Sequence, residues 1–215
     1  MEFDKDIFRV NLNKFTQKAF RSIPPLNNPV ILDIGCGTGI PTLTLAKLTK
    51  GHITAVDIDK IALERLAKRA RDSGLADYIR IHNQSMKNLK FDSDRFDFIW
   101  AEGSIMVIGF KKGLTEWKKF LKPKGYMVIH DDLKDLSKKK DIITQCGYNL
   151  IHYFVLDENI WWKEYYDPME REILRLQSSD IDLDESGISV ALEEIRMFKM
   201  NPKSCASVFF VMQLM

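Results

Sequence analysis

The sequence contains few cysteines, no long apolar run and no excess of charge of one sign. Its three cysteines, Cys36, Cys146 and Cys205, are far apart in the 215 residues. Such an odd, scattered set argues against a disulfide framework or a bound metal, and predicts a protein of the reducing cytoplasm. No segment approaches the roughly 18 apolar residues of a transmembrane helix. The acidic N-terminus also lacks the apolar core of a secretory signal.

The charge balance excludes another group of functions. Lys and Arg total 32 against 30 for Asp and Glu, which leaves a net charge of +2. A chain that coats nucleic acid or an anionic membrane carries a larger excess of positive charge, so we expect neither partner. Proline and glycine are scattered without repeats or low-complexity tracts, which argues against a solenoid. The 45% of apolar residues suffices for one sizeable core.

Short apolar runs alternate with amphipathic segments along most of the chain. The runs predict strands at 30–34, 53–56, 78–82, 96–100, 126–130, 150–156 and 206–214, and the segments predict helices at 6–22, 40–50, 60–73, 114–121 and 137–146. This alternation predicts an α/β protein with a mostly parallel sheet covered by helices on both faces. Residues 157–203 interrupt the alternation with two predicted helices, 168–177 and 185–200, and we expect them to form a small helical and aromatic cap.

The strongest local signal is a glycine loop directly after the first predicted strand. Gly35, Gly37 and Gly39 alternate between Asp33 and a predicted helix. Glycines at this spacing allow a tight turn and the close approach of a ligand to the backbone. The helix that follows begins with free N–H groups and the positive end of its dipole. The segment therefore predicts a ligand site at the end of the first strand.

Two nucleotide-binding patterns do not fit this loop. A dinucleotide fingerprint requires Gly-x-Gly-x-x-Gly, but its third glycine position is occupied by Ile40 or Thr42, depending on the starting glycine. A P-loop requires a terminal Gly-Lys-Ser/Thr, which is also missing. What remains is an acidic residue, Asp33, followed by Gly-x-Gly-x-Gly.

This pattern resembles the first motif of class I S-adenosylmethionine (SAM)-dependent methyltransferases. The resemblance covers about residues 28–156, and residues 121–126 are similar to a turn in small-molecule, ubiquinone-biosynthesis-like members. It implies a Rossmann-like sheet of seven strands, the last one antiparallel. The implied organisation is an N-terminal helical lid segment at 1–27, a SAM-binding core at 28–156, the cap at 157–203 inserted between strands six and seven, and the final strand at 204–215.

The resemblance also assigns cofactor-binding residues. Asp57, at the end of the second strand, matches the acid that binds the ribose hydroxyls, and Ile58 would pack on the adenine. Ser85 stands where many relatives carry an acid for the adenine amino group. The predicted SAM-binding set is Asp33, Gly35, Cys36, Gly37, Thr38, Gly39, Asp57, Ile58, Ser85, Met86 and Glu102.

The acceptor side is predicted from the ends of the later strands and from the cap. Glu102, His130 and Asp131 are candidate bases because ligands lie at the carboxyl ends of parallel strands. For His130, the alternative of a residue in a half-buried strand bonded to the backbone is favoured over a base. The aromatic cluster of Trp161, Trp162, Tyr165 and Tyr166 predicts either an acceptor-binding wall or the packing core of the cap.

Together these features predict a SAM-dependent methyltransferase that acts on a small molecule and releases S-adenosylhomocysteine (SAH). The atom that accepts the methyl group, whether O, N or C, stays open. Two alternatives also stay open: a SAM-binding regulatory protein without turnover, and a nicotinamide-dependent oxidoreductase, which the missing third glycine disfavours.

Overall fold

The computed structural model describes residues 3–178 and 185–215. The strands are β1 (Val30–Ile34), β2 (His52–Asp57), β3 (Ile79–Asn83), β4 (Phe96–Glu102), β5 (Leu121–Asp132), β6 (Tyr148–Leu156) and β7 (Ser207–Leu214). The helices are α1 (Asp6–Arg9), α2 (Asn13–Arg21), α3 (Ile40–Thr49), α4 (Lys60–Asp72), α5 (Phe110–Trp117), α6 (Leu136–Gln145), α7 (Glu158–Trp161), α8 (Asp167–Gln177) and α9 (Glu185–Met200).

The seven strands form one sheet in the order β3-β2-β1-β4-β5-β7-β6. β7 is antiparallel to both of its neighbours, β5 and β6, so the other six strands run in the same direction. The carboxyl ends of β1, β2, β4 and β5 therefore meet at one edge of the sheet. This arrangement confirms the predicted α/β fold with an antiparallel last strand.

Helices cover both faces of the sheet. One face packs against α2, α3 and α4, through residues that include Ala19, Leu45 and Leu66. The other face packs against α5 and α6, through residues that include Trp117 and Ile143. Because both faces are buried, the central strands are apolar on both sides, which explains why they form short continuous apolar runs in the sequence.

Most predicted elements occur within two residues of their expected bounds, with three exceptions. The helix predicted at 6–22 is divided into α1, a 3-10 turn at Val10–Leu12 and α2, and the strand predicted at 126–130 begins five residues earlier. The helix predicted at 114–121 begins earlier, at Phe110, and ends at Trp117, followed by a 3-10 turn from Lys118 to Phe120. β5 then begins at Leu121, so the predicted turn at 121–126 lies within the strand. A register shift between Phe96 and Phe98 of β4 accommodates it.

A third apolar cluster joins the cap to the N-terminal helices α1 and α2. Phe8 of α1 packs against Tyr165, Tyr166 and Phe198 of the cap. The N-terminal helices thus lie between the cap and the carboxyl edge of the sheet. Residues 1, 2 and 179–184, which belong to the predicted N-terminal and cap segments, lie outside the described residues. Within the described ranges, no helix is long and apolar enough to cross a membrane.

Candidate active site

The glycine loop joins β1 to α3 in a conformation that depends on its glycines. Gly35, Gly37 and Gly39 have φ values of +73°, +53° and +82°, all in the left-handed region. The N–H of Gly35 donates to the carbonyl oxygen of Val56 (2.8 Å), and the N–H of Gly37 donates to the carboxylate of Asp57 (2.8 Å). These bonds hold the loop against the end of β2.

The three glycines serve different purposes. A Cβ atom on Gly35 would collide with the side chain of Ser104, and one on Gly39 would collide with Leu66. A Cβ atom on Gly37 would meet no protein atom within 4 Å. Packing therefore requires glycine at Gly35 and Gly39, whereas Gly37 faces the space in which a ligand would lie.

Two cavities meet at this loop. The loop cavity, about 300 Å³, lies between the glycine loop, α1 and the end of β4, and the β2–β3 cavity, about 360 Å³, lies beside the ends of β2 and β3. Gly35 and Gly103 line both of them. The loop cavity is lined by Asp33, Cys36, Gly37, Thr38 and Glu102 among others, and the β2–β3 cavity by Asp57, Ile58, Gln84, Ser85, Met86 and Lys87 among others.

Asp57 lies where the two cavities adjoin. One carboxylate oxygen accepts the Gly37 N–H and the other accepts the N–H of Asp59 at 2.9 Å. Each oxygen retains capacity for a further hydrogen bond. The neighbouring Ile58 side chain is 72% exposed, so a planar ligand in the β2–β3 cavity would cover an apolar surface. The Ser85 hydroxyl accepts the Lys87 N–H at 3.3 Å.

Asp33 ends β1 beneath the glycine loop and is almost fully buried, at 2% exposure. Its carboxylate accepts a hydrogen bond of 2.6 Å from the Thr42 hydroxyl. Burial raises the pKa of Asp33 to about 7. The negative charges of Glu102 and Asp57 raise this pKa further, whereas the hydrogen bond from Thr42 lowers it. A cation in the loop cavity would relieve this cost. The thiol of Cys36, in the same wall, has its pKa raised by burial and is not a nucleophile at neutral pH.

Glu102 ends β4 at the boundary between the loop cavity and a third, small cavity of about 10 Å³. Its Oε1 atom accepts hydrogen bonds from Trp100 Nε1 (2.7 Å) and from the Thr16 hydroxyl of α2 (2.9 Å). Burial raises its pKa above the usual value. The small cavity, named here the Glu102–His130 cavity, is lined by Arg9, Leu12, Asn13, Thr16, Ile40, Pro41, Glu102, His130, Leu156 and Phe209.

His130 is held in an apolar and neutral environment. Its ring stacks on Phe209, with centroids 4.2 Å apart, and on Trp161 at 6.1 Å. Its Nε2 atom lies 2.8 Å from the hydroxyl of Ser207, which also accepts a hydrogen bond from Trp161 Nε1. Burial, together with the charge of Arg9, lowers the pKa of His130 to about 3. The imidazole is therefore neutral at physiological pH and resists protonation.

Asp131 lies away from the other two candidate bases. Because side chains alternate along β5, it points to the opposite face from His130. Its carboxylate forms a buried ion pair of 2.7 Å with Lys139 of α6, which also pairs with Asp132 at 2.8 Å. Asp131 lines none of the three cavities. The structure thus brings Glu102 and His130 to one cavity and places Asp131 outside it.

Comparison with known proteins identifies the chemistry of this domain. A family model described as a methyltransferase domain matches residues 31–125, from β1 through the glycine loop and Glu102 to β5. The chain is also 28% identical to the uncharacterized methyltransferase YodH of Bacillus subtilis, over 79% of this chain and 72% of YodH. The protein is a SAM-dependent methyltransferase with the fold of the class I enzymes. SAM is its cofactor, and this result argues against the nicotinamide-dependent alternative.

Other relatives share shorter regions or only the fold. The methyltransferase is 29% identical to the glycine/sarcosine/dimethylglycine N-methyltransferase of Actinopolyspora halophila, over 52% of this chain and 20% of that protein. The chain spans less than half the length of several such curated relatives. The crystal structure of a candidate sarcosine dimethylglycine methyltransferase from Galdieria sulphuraria has the same fold, with a TM-score of 0.77 at 16% identity, over 94% of this chain and 84% of that one.

The four residues of the predicted aromatic wall lie in or beside the apolar core of the cap. Tyr165 and Tyr166 are buried in the cluster that joins the cap to α1. Trp162 stacks on Phe198 beside a separate cavity of the cap. Trp161 stacks on the ring of His130 and donates a hydrogen bond to the Ser207 hydroxyl. None of these four aromatic residues lines the loop, β2–β3 or Glu102–His130 cavity. Large apolar rings were needed to bury the small cap.

The remaining predicted cofactor residues fall into two groups. Every member of the predicted set except Gly39 lines the loop cavity or the β2–β3 cavity. Gly39 instead precedes α3 and packs under Leu66.

Sequence reasoning missed several cavity residues. Gly103, with φ of +66°, lines both large cavities, and Ser104 donates a 2.6 Å hydrogen bond to the Ile34 carbonyl oxygen beneath the loop. Both directly follow Glu102, so the strand end itself was the available signal. Arg9 and Thr16 come from the N-terminal helices. No local motif marks them, because only the tertiary fold brings α1 and α2 to the end of β4.

Proposed function

We propose that the protein transfers the methyl group of SAM to a small-molecule acceptor that binds between the N-terminal helices and the ends of β4 and β5. One observation carries this proposal. The Glu102–His130 cavity adjoins the loop cavity directly, and the two share Arg9, Ile40, Pro41 and Glu102 as walls. A donor and an acceptor held in adjoining cavities meet at these residues, which is the arrangement that an in-line transfer requires.

The residues of the two large cavities fit SAM. Asp57 would accept the ribose hydroxyls, while Ile58 and Met86 would cover the adenine. Asp33 would attract the positively charged end of the ligand, and the missing side chain at Gly37 leaves room for it. When bound, SAM supplies an electrophilic methyl group on a positively charged sulfur.

Glu102 is the residue that we assign as the base. It lines both the donor and the acceptor cavity, and its raised pKa suits a carboxylate that takes up a proton during the reaction. Glu102 would take up the proton that the acceptor atom loses when it receives the methyl group. His130 shapes the cavity wall without taking the proton, because its environment resists the charged form.

The acceptor that these groups favour is a small molecule whose attacking nitrogen or oxygen carries a proton. The N-methyltransferase of Actinopolyspora halophila is named for small amine acceptors, namely glycine, sarcosine and dimethylglycine. The Glu102–His130 cavity, about 10 Å³ in volume, has room for about one water molecule, so only the reacting group of the acceptor would enter it while the rest of the molecule lies toward the loop cavity.

The test is an acceptor screen with methyl-labelled SAM, followed by substitution of the base. Glu102→Gln keeps an oxygen for the Trp100 and Thr16 donors but cannot take up a proton. We expect it to lower kcat by about 100-fold, the usual range for a general base, while the Kd for SAM stays within tenfold. Glu116→Gln is the control, since Glu116 pairs with Lys112 on the far face of the sheet. Equal kcat in Glu102→Gln and the wild type would contradict the assignment of the base, and the absence of SAM binding would contradict the function itself.

A further inference from the structure

Arg9 differs from the charged residues around it on the N-terminal helices. Lys5 pairs with Glu194 at 2.9 Å and Lys14 pairs with Glu164 at 2.6 Å, both in the cap. Within residues 3–178 and 185–215, the guanidinium of Arg9 makes no hydrogen bond and no ion pair. A guanidinium has five N–H donors, so an unpaired one in a cavity wall can bind an anion.

Arg9 lines both the loop cavity and the Glu102–His130 cavity. Arg9, Asn13 and Thr16 are spaced at four and three residues, so they share one face of the N-terminal helices, and all three line the Glu102–His130 cavity. Arg9 is also among the charges that shift the pKa of Glu102 and His130, whereas it is not among those that shift the pKa of Asp33. The positive charge therefore acts on Glu102 and His130, although Arg9 and Asp33 both line the loop cavity.

We propose that Arg9 binds the carboxylate of the methyl acceptor, and that the acceptor is a small amino acid or hydroxy acid. This inference rests on the proposed function. Arginine binds a carboxylate through two parallel hydrogen bonds, which fixes its orientation as well as its position. An acid held in this way would have its amine or hydroxyl group directed along the cavity toward Glu102. The neutral His130 next to the cavity adds no competing charge.

The first experiment compares acceptors that carry a carboxylate with analogues that carry a neutral amide in its place, at a pH at which the amines of both are largely unprotonated. Sarcosine is paired with sarcosinamide and glycolate with glycolamide, and methyl transfer from labelled SAM is measured for each. We expect kcat/KM for the acid to exceed that for its amide by at least tenfold. An amide that is methylated as well as its acid overturns the carboxylate assignment while leaving the methyltransferase function intact.

The second experiment asks whether Arg9 is the source of that preference. Arg9→Gln should reduce the preference for the acid to about twofold, mainly through KM, and Arg9→Lys should retain part of it because the charge remains. Lys18→Gln is the control, as Lys18 lies on α2 over the ring of Phe154 rather than in the cavity. The Kd for SAM should stay within threefold in all variants. An equal loss of SAM affinity in Arg9→Gln would assign the guanidinium to the carboxylate of SAM and overturn the proposal.

If no acceptor in the panel is methylated, binding of sodium acetate to the SAH-loaded protein decides the question. We expect saturable binding of acetate, none of acetamide, and at least a tenfold loss of acetate affinity in Arg9→Gln. The absence of saturable acetate binding overturns the proposal. Inorganic phosphate is titrated in parallel, and tighter binding of phosphate than of acetate would replace the carboxylate with a phosphorylated acceptor. Failure of SAM or SAH to bind would instead contradict the proposed function.

Discussion

Three carboxylates, those of Asp33, Asp57 and Glu102, surround the glycine loop and set the electrostatics of the cofactor site. Burial raises the pKa of Asp33 to about 7 and also raises the pKa of Glu102. Because a buried carboxylate is costly without a partner cation, the site is prepared for a positively charged ligand. Two consequences for pH dependence follow.

The affinity for SAM should depend on the ionisation of Asp33. A cationic ligand stabilises the carboxylate, so binding lowers the pKa of Asp33 and favours the ionised form. The Kd should therefore rise by about tenfold as the pH falls from 7.5 to 6. Calorimetric titration with SAM at several pH values measures this change. Asp33→Asn should bind SAM more weakly and show little pH dependence over the same range; an unchanged pH dependence in this variant would show that another group is responsible.

Without a ligand, ionisation of the buried Asp33 should lower the free energy of unfolding. The folded pKa of Asp33 lies above its ordinary value of 3.8, so the folded state holds the proton more tightly than the unfolded state. Stability is therefore lost as the pH rises from about 4 to 7, by up to about 4 kcal/mol. Asp33→Asn should unfold at a higher temperature than the wild type at pH 8 without ligand, with a smaller difference at pH 4. A lower Tm for the variant at pH 8 would contradict this sign.

Substitution of Gly37 should lower the affinity for SAM while the protein still folds. In Gly37→Ala the positive φ costs about 1–2 kcal/mol of stability, but the new methyl group meets no protein atom. Gly37→Val should fold and lose at least tenfold in SAM affinity, because its side chain occupies ligand space. Gly35→Ala and Gly39→Ala are the comparison, since their methyl groups collide with Ser104 and Leu66 and should destabilise the fold further. Circular dichroism and calorimetry distinguish these effects, and unchanged SAM affinity in folded Gly37→Val would contradict the prediction.

At the level of elements, the N-terminal helices are tied to both the core and the cap. Arg69 of α4 pairs with Asp4 at 2.7 Å and with Asp6 at 2.9 Å, and its guanidinium also lies 3.4 Å from the carbonyl oxygen of Thr38 in the glycine loop. These contacts hold the start of α1 over the loop cavity. On the other side of α1, the side chain of Phe8 packs in the apolar cluster of the cap.

Removal of the ion pairs between Arg69 and the start of α1 should weaken the binding of SAM. Arg69→Ala removes the pairs with Asp4 and Asp6, which are partly exposed and contribute about 1 kcal/mol or less each. We expect the Kd for SAM to rise by about three- to tenfold, with faster dissociation in stopped-flow measurements. Lys68→Ala is the matched control, because the adjacent Lys68 pairs only with Asp72 on the surface of α4. Equal effects of the two substitutions would show that the link does not act on the cofactor site.

For the whole molecule, the strand order places the ligand at one edge of the sheet. β1 and β4 are neighbours in the order β3-β2-β1-β4-β5-β7-β6 although two strands separate them in the sequence. The connections therefore leave the sheet in opposite directions on either side of β1, and a crevice forms at the carboxyl ends of β1 and β4. The glycine loop and Glu102 lie at the two sides of this crevice.

Ligand binding there should stabilise the folded chain as a unit. SAM or SAH at 100 times its Kd should add about 2.7 kcal/mol to the free energy of unfolding, which corresponds to about 5–10 °C in Tm for a domain of this size. NAD should cause no comparable shift, since the loop lacks the third glycine of a dinucleotide site. Thermal unfolding monitored with each ligand tests this difference, and equal stabilisation by NAD would contradict it.

The sequence by itself determined the sheet and the cofactor loop. Short apolar runs predict buried strands, and the glycines after Asp33 allow the left-handed turn that the structure shows. These features are local, because they depend on residues within a few positions of one another. The same is true of Asp59, which caps α4 by accepting the N–H groups of Ile61 and Ala62.

Only the tertiary structure decided the acceptor side. Thr16 and Glu102 are 86 positions apart in the sequence and share a hydrogen bond because α2 packs at the end of β4. His130 and Asp131 are adjacent, yet the alternation of side chains along β5 sends one to the cavity and the other to Lys139. The acceptor cavity exists because the N-terminal helices pack at the carboxyl ends of β4 and β5. That packing arises from the burial of apolar surface among distant segments, which no local pattern specifies.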